Sequence, residues 1–261
     1  RKKVMLIDTH CHLTDKQFCD DIEAVIAHSR DMGVKFFVTS GFDLDSSIKA
    51  VEFASVHNNV FASIGIYPEY SGFADEKTFA QLEELASSEK VVAIGEIGLQ
   101  FIDGAPEKEV QIKVFERQID LAFRLKKPIV IHCREAMGAC LETLEKNKDK
   151  LVYGGTMHCF SGSKESAIRV LKLGLNISVG GVSTFKNASN LREALSFVPL
   201  EKIVLETDCP YLAPHPFRGK RNSPAFLPGI AENLAKILGK DVAEVEKVTS
   251  ENAIKLFGLE E

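Results

Sequence analysis

Short apolar, β-branched runs alternate along this chain with longer segments whose apolar residues recur every three or four positions. The short runs are VMLID (4–8), VKFFVTS (34–40), VFASIGI (60–66), VVAIGEIG (91–98), PIVIHC (128–133), GTMHCF (155–160), LNISVGG (175–181) and KIVLETD (202–208). Runs of that length and composition predict buried strands. The longer segments predict amphipathic helices over 20–33, 46–59, 106–127 and 164–174, with Ile22, Val25, Ile26 and Met32 on one stripe of the first. Several open on Asp, Ser or Pro and close at Gly or Asn, the residues that start and stop helices. Strands alternating with helices in this way predict an α/β fold, a parallel (β/α)8 TIM barrel. A doubly wound open sheet is the competing arrangement, but no G-x-G-x-x-G follows the first strand. The tail 241–259 predicts one or two extra C-terminal helices outside the barrel. No linker, repeat or low-complexity stretch interrupts the pattern, so residues 1–261 are expected to form a single domain.

Composition narrows the partners. The 45% hydrophobic and 26% charged content is that of an ordinary globular protein. A net charge of -5 excludes a global basic field, so any contact with nucleic acid must be local, through a small basic cluster or through metal ions. The six cysteines include no C-x-x-C pair and are expected to be reduced thiols rather than a disulfide framework. The opening apolar run ends at Asp8, too short for a signal-peptide core, and nothing later approaches a membrane span. A cytoplasmic protein with no membrane association and no obligate protein partner is the expectation.

The stretch LIDTHCHL (6–13) places His10 and His12 two residues apart at a strand end. On a strand such residues share a face, so the two imidazoles either grip one metal ion or are ordinary strand-end polar groups. Glu96 ends the fourth run, His132 the fifth, His158 the sixth and Asp208 the eighth. Each alone has a bland explanation: a cap, a solvated acid, a hydrogen-bonded core histidine, a turn before Pro210. Together they fall at the same end of separate strands, and in a (β/α)8 barrel those ends form the mouth where active sites are built. Converging imidazoles and carboxylates suit one or two divalent metals. His28 and His57 lie in helical segments and receive no function, while His215, in the loop APHP, reads as a turn residue or a substrate contact. Cys11, Cys133, Cys159 and Cys209 adjoin these positions but face the other way, as packing residues.

The motifs DTHCH, GEIGL, IHCR, HCFSG and ETDCPYLAPHPFRGKRNSP (206–224), in this order over essentially the whole chain, resemble the TatD family of metal-dependent deoxyribonucleases, which belongs to the amidohydrolase-like barrels. The resemblance implies a distorted TIM barrel with two divalent cations (Mg²⁺, Mn²⁺ or Zn²⁺). It also implies exonuclease-type hydrolysis of phosphodiester bonds by metal-activated water, with DNA single strands or ends as substrate. Carried over by matching position, His10, His12 and Asp208 would hold one metal, His132 and His158 the other, and Glu96 would bridge. Asp208 would double as general base. Such a centre is locally positive in an acidic protein and would draw a phosphodiester. Arg134, Ser161, Gly162 and the RGKR residues Arg218, Lys220 and Arg221 are candidates for the phosphate oxygens, the alternative for the basic run being a solvated loop.

Four positions depart from the family pattern. Tyr67 and Glu69 stand where the family commonly has histidines, and Gln100 and Ser223 stand where it has acids. All six proposed ligands are kept. The departures add a second expectation: a metal-dependent hydrolase of a small amide, ester or lactone on the same barrel. Retention of Glu96 and Asp208 argues against a non-catalytic binding module.

Overall fold

Every residue from Val91 to Gln100 is buried, the mark of a parallel strand covered on both faces. That strand belongs to a sheet whose eight members follow one another in chain order. They are β1 (Leu6–Cys11), β2 (Val34–Ser40), β3 (Val60–Ile64), β4 (Val91–Gln100), β5 (Ile129–Arg134), β6 (Gly155–Met157), β7 (Asn176–Val179) and β8 (Ile203–Leu205). Between them run α1 (Ile22–Asp31), α2 (Leu44–Val56), α3 (Glu76–Leu85), α4 (Lys108–Leu125), α5 (Met137–Lys146), α6 (Lys164–Lys172) and α7 (Ser189–Ser196), with α8 (Leu227–Leu238) and α9 (Val242–Phe257) after the last strand. This is the (β/α)8 order of a TIM barrel. The computed structural model describes residues 5–259. Val4, which opens the first expected strand, and the outermost residues of the 1–261 domain lie outside that range.

Four strands, β3, β6, β7 and β8, end two or three residues earlier than the apolar pattern predicts. β6 stops at Met157 and β8 at Leu205, so His158 and Asp208 sit in the loops that follow. Cys159 (φ 44°) and Asp208 (φ 58°) adopt left-handed backbone, which an extended strand does not contain. Met32 lies past the end of α1 and is 44% exposed, so the buried stripe of that helix is Val25, Ile26 and Ser29. The short helices α3, α5 and α7 are not among the segments that apolar spacing singles out; α3, for example, buries only Phe79 and Leu82.

The chain divides into two compact units, one of residues 1–39, 159–168 and 177–261, the other of 40–158 and 169–176. In the first, β8 lies against β1: the Thr9 hydroxyl donates to the Leu205 carbonyl at 2.8 Å. Helix α9 packs on both strands, and its Asn252 amide donates to the carbonyls of Leu200 (2.9 Å) and Ile203 (2.7 Å), pinning the start of β8. In the second, α4 packs on β4 and buries Phe115 and Ile119. Two buried glutamines of α4 clamp backbone. Gln118 accepts from Ile66 N (2.7 Å) and donates to Ile66 O (2.9 Å), and Gln111 does the same for Gln100 at 2.8 and 2.9 Å. Gly98, at φ +147°, pairs with His132, and a Cβ there would lie 1.9 Å from the His132 carbonyl oxygen. Only glycine allows that approach. Among the described residues no helix is long and apolar enough to cross a membrane.

Candidate metal centre

The six sequence-selected ligands gather into two clusters, one in each unit. In the first unit His10 Nε2 and His12 Nε2 lie 3.3 Å apart. Asp208 Oδ1 is 3.6 Å from the first and 3.3 Å from the second. All three offer ligand atoms within 4.8 Å of one another. Main-chain bonds set this arrangement: His12 N donates to Cys209 O at 2.8 Å, and Asp208 N donates to His10 O at 2.9 Å. The loop after β8 is thereby laced to the end of β1.

In the second unit Glu96, His132 and His158 converge. Glu96 Oε1 is 2.8 Å from His132 Nδ1 and 3.6 Å from His158 Nε2, and the two imidazoles lie nearly parallel with centroids 6.1 Å apart. The carboxylate and both histidines are almost fully enclosed, with 5%, 14% and 4% of their side chains exposed. The opposite nitrogen of His132, Nε2, is 3.1 Å from both the Gln100 carbonyl oxygen and the Tyr67 hydroxyl.

The ligand atoms of the first set lie close enough together to share a divalent cation, and both sets carry donor types suited to one. Each offers two imidazole nitrogens and one carboxylate, the ligand types of Zn²⁺ and neighbouring transition metals. His132 also has the outer partner expected of a ligating histidine, whose second nitrogen is normally held by an acceptor. Hydrogen-bond capacity separates these sets from a third cluster, Asp8, Cys11 and Cys209. There the Asp8 carboxylate accepts from Thr207 N (2.9 Å) and Thr207 Oγ1 (2.5 Å), and Cys11 Sγ donates to Val38 O at 3.3 Å. Burial raises the Asp8 carboxyl to about 7 against the opposing Thr207 bonds. All six cysteines are free thiols.

The candidate phosphate contacts divide. Arg134 ends β5 and is exposed, as are Ser161, Arg218 and Lys220. Arg218 lies over the Phe185 ring at 4.4 Å. Arg221 is engaged elsewhere: its guanidinium forms a fork on Asp21 (2.9 and 2.6 Å) and donates to the Gln17 carbonyl. His215 is exposed in its loop, with its backbone N–H on Thr184 Oγ1. Ser223 caps the turn at 224–226 by accepting from Ala225 N.

Several polar residues of these surroundings are not evident from the chain. Glu206 is fully buried, accepting from Cys159 N at 2.7 Å and from the Ser178 hydroxyl at 2.5 Å, so it shapes the loop beside His158. Thr207 joins Asp8 to the Asp208 loop. Tyr211 meets His12 edge-on at 5.9 Å and donates to Asp15. The visible signals are an acid inside an apolar run at Asp8 and adjacent acids at Glu206 and Asp208.

Comparison with known proteins agrees with these observations. The model of the family described as TatD-related DNase matches residues 7–258. An uncharacterized metal-dependent hydrolase, YabD of Bacillus subtilis, is 40% identical over 97% of this chain and 99% of its own length. A protein of Edwardsiella piscicida named 3'-5' ssDNA/RNA exonuclease TatD is 35% identical over 97% of this chain and 100% of its own. The crystal structure of YjjV, a TatD homologue of Escherichia coli, superposes with a TM-score of 0.93 at 28% identity, covering 98% of each chain. With strand order, ligand clusters and a family match from near its first strand to its last helix, the chain belongs to the TatD-related DNase family and thereby to the metal-dependent hydrolases of ester bonds.

Proposed function

We propose that this chain removes nucleotides from the ends of single-stranded nucleic acid, most readily DNA, by hydrolysing phosphodiester bonds with two divalent cations, one on each ligand cluster. The observation that carries the reading is the convergence of His10, His12 and Asp208 within 4.8 Å at the carboxyl ends of two strands. The exonuclease name of the Edwardsiella relative supports the substrate. The family match runs through both units, which supports reading residues 1–261 as one hydrolase domain. Six free thiols favour work in the cytoplasm, and the reading requires no protein partner.

Bound cations supply positive charge for the phosphoryl and leaving oxygens and make water more acidic. The chain's own groups do the rest. Asp208, 13% exposed beside His12, takes the proton of the attacking water. Glu96, 2.8 Å from His132 Nδ1, would share the second cation with that histidine and His158. Arg134, Arg218, Lys220 and the Ser161 hydroxyl hold non-bridging phosphate oxygens. Arg221, already paired with Asp21, braces the loop that carries two of them.

The test is release of nucleotides from an end-labelled single-stranded oligonucleotide by protein stripped of metal and reloaded with Mg²⁺, Mn²⁺ or Zn²⁺. Ladder-like shortening that needs metal and vanishes in Asp208→Asn is expected. Intact oligonucleotide with two cations bound by elemental analysis would overturn the nuclease reading. Glu69, an exposed carboxylate linked through Gln100 to the second cluster, favours a small ester, amide or lactone as the second reading, and turnover of such esters in place of DNA would establish it.

A further inference from the structure

The loop after β8 carries apolar rings that the chemistry above does not use. From 210 to 222 it reads PYLAPHPFRGKRN, and Tyr211, Leu212 and Phe217 are large apolar side chains exposed along it. Phe217, 38% exposed, stacks on Phe226 with the ring planes 2° apart and the centroids at 4.4 Å. Exposed apolar groups gathered on one loop and rimmed by charge are the mark of a surface that a ligand or partner covers.

The loop is fixed in place. The Asn222 amide donates to the carbonyls of Thr207 (2.7 Å) and Tyr211 (2.6 Å), and Asn222 N donates to Pro210 O at 2.9 Å. Its far end is thereby tied to the residues on either side of Asp208. Midway, His215 N donates to Thr184 Oγ1 at 2.8 Å, which joins it to the loop after β7. There Phe185 and Lys186 repeat the aromatic–basic order of Phe217 and Arg218, and the Arg218 guanidinium lies over the Phe185 ring at 4.4 Å. The Phe217 ring is thus set in advance relative to Asp208, with exposed Arg218 and Lys220 beside it.

Phe217 and Phe226, with Pro214 and Pro216, line a cleft of 520 Å³ whose two formal charges, Glu232 and Lys236, offset each other. Arg218 and Lys220 are not among its walls. The cleft therefore suits a flat, uncharged, polarisable group, and the rim suits anions. Proteins that hold single-stranded nucleic acid use this division, with bases stacked on aromatic side chains and the backbone along positive charge. Bases in a duplex are stacked on one another and offer no face to the ring.

We propose that Phe217, backed by Phe226, is a stacking subsite for one unpaired nucleobase of the substrate strand, with Arg218 and Lys220 holding the phosphates that flank it. This rests on the nuclease reading above. The subsite recognises that a base is present and not which base it is, since every base has a π-face.

The chain contains no tryptophan, so Phe217→Trp places a single emitter at the subsite. Its emission in Mg²⁺-loaded protein should be quenched by a phosphorothioate oligothymidylate, which resists cutting. An abasic strand of the same length, with the same backbone charge, should leave it unchanged. Phe217→Leu keeps an apolar contact for Phe226 but has no π-face. By fluorescence anisotropy it should bind the oligothymidylate about 5–100-fold more weakly than the parent and the abasic strand equally well. Equal affinity of parent and Phe217→Leu for the oligothymidylate would overturn the subsite, as would equal quenching by the abasic strand. Emission that shifts with protein concentration and not with DNA would also overturn it, making the face a contact between copies of this chain. If the parent shortens oligonucleotides while position 217 is inert in both assays, the subsite falls and the nuclease reading stands. If the parent neither binds nor shortens them, both fall.

Discussion

The two ligand clusters use the same kinds of donor and are held in opposite ways. In the first, His12 and Asp208 lie beyond the ends of their strands, and Asp208 has left-handed backbone (φ 58°). What positions them is main chain: the paired N–H···O bonds between 10–12 and 208–209. In the second, Glu96 and His132 sit within strands, Glu96 at an irregularity in the β4–β5 register between Ile94 and Ile97, and Tyr67, Gln100 and Glu69 form a side-chain network outside His132. A cluster laced by backbone depends on where the chain is. A cluster bordered by amides and hydroxyls depends on which neighbours it has, so its tuning is open to single substitutions that leave the fold alone. Three of the four departures from the family pattern, Tyr67, Glu69 and Gln100, lie around the second cluster.

The contrast can be broken at its ends. The largest effect is expected from Asp208→Asn, which removes a ligand and the proton acceptor together: oligonucleotide shortening should fall by about 10³-fold or more with the fold intact. A loss below about tenfold would show that the first cluster is not where the proton goes. Gly98→Ala comes next. Its Cβ would collide with the His132 carbonyl, so β4 and β5 must part, and urea unfolding should show destabilisation of about 1–3 kcal/mol. Zn²⁺ binding at the second cluster should weaken while the first is spared. Losses at both would erase the distinction.

Smaller effects sharpen the picture of the first cluster's support. The Asp8 carboxyl is raised from its ordinary range to about 7 by burial, so the native state holds that proton more tightly than the unfolded chain does. Its contribution to the stability of metal-free protein is complete below about pH 4 and is lost as pH rises through about 7. Asp8→Asn should flatten that part of the curve, read as the urea midpoint at pH 5 and pH 8. An unchanged slope would mean that other groups carry it. The smallest effect is expected from Arg221→Ala: its exposed pair with Asp21 should give a minor shift in unfolding and little change in cutting. A large drop in cutting would instead place Arg221 on the substrate.

Much of this was legible in the chain. The strand order follows from eight apolar runs, and the ligands stand out because His10, His12, Glu96, His132, His158 and Asp208 interrupt the ends of those runs. What could not be read is long-range pairing. Arg221 belongs to a basic run, and only its partner Asp21, 200 positions away, shows that it is spoken for. Tyr67, Glu69 and Gln100 look like three separate exchanges, because the contacts that join them span 31 and 33 positions. The left-handed turns that lift His158 and Asp208 off their strands leave no mark in apolar periodicity either, since they depend on Glu206 and on the lacing to residues 10–12.

That lacing has a consequence for how the protein comes into being. A ribosome delivers the chain from its first residue onward. The members of the second cluster have all been made once His158 is added, whereas the first cluster needs Asp208 and Cys209 to return to the strand that was made first. The group assigned to take the proton is thus among the last to arrive. A prematurely terminated copy ending anywhere before Asp208 would be unable to cut, however well its earlier part had folded.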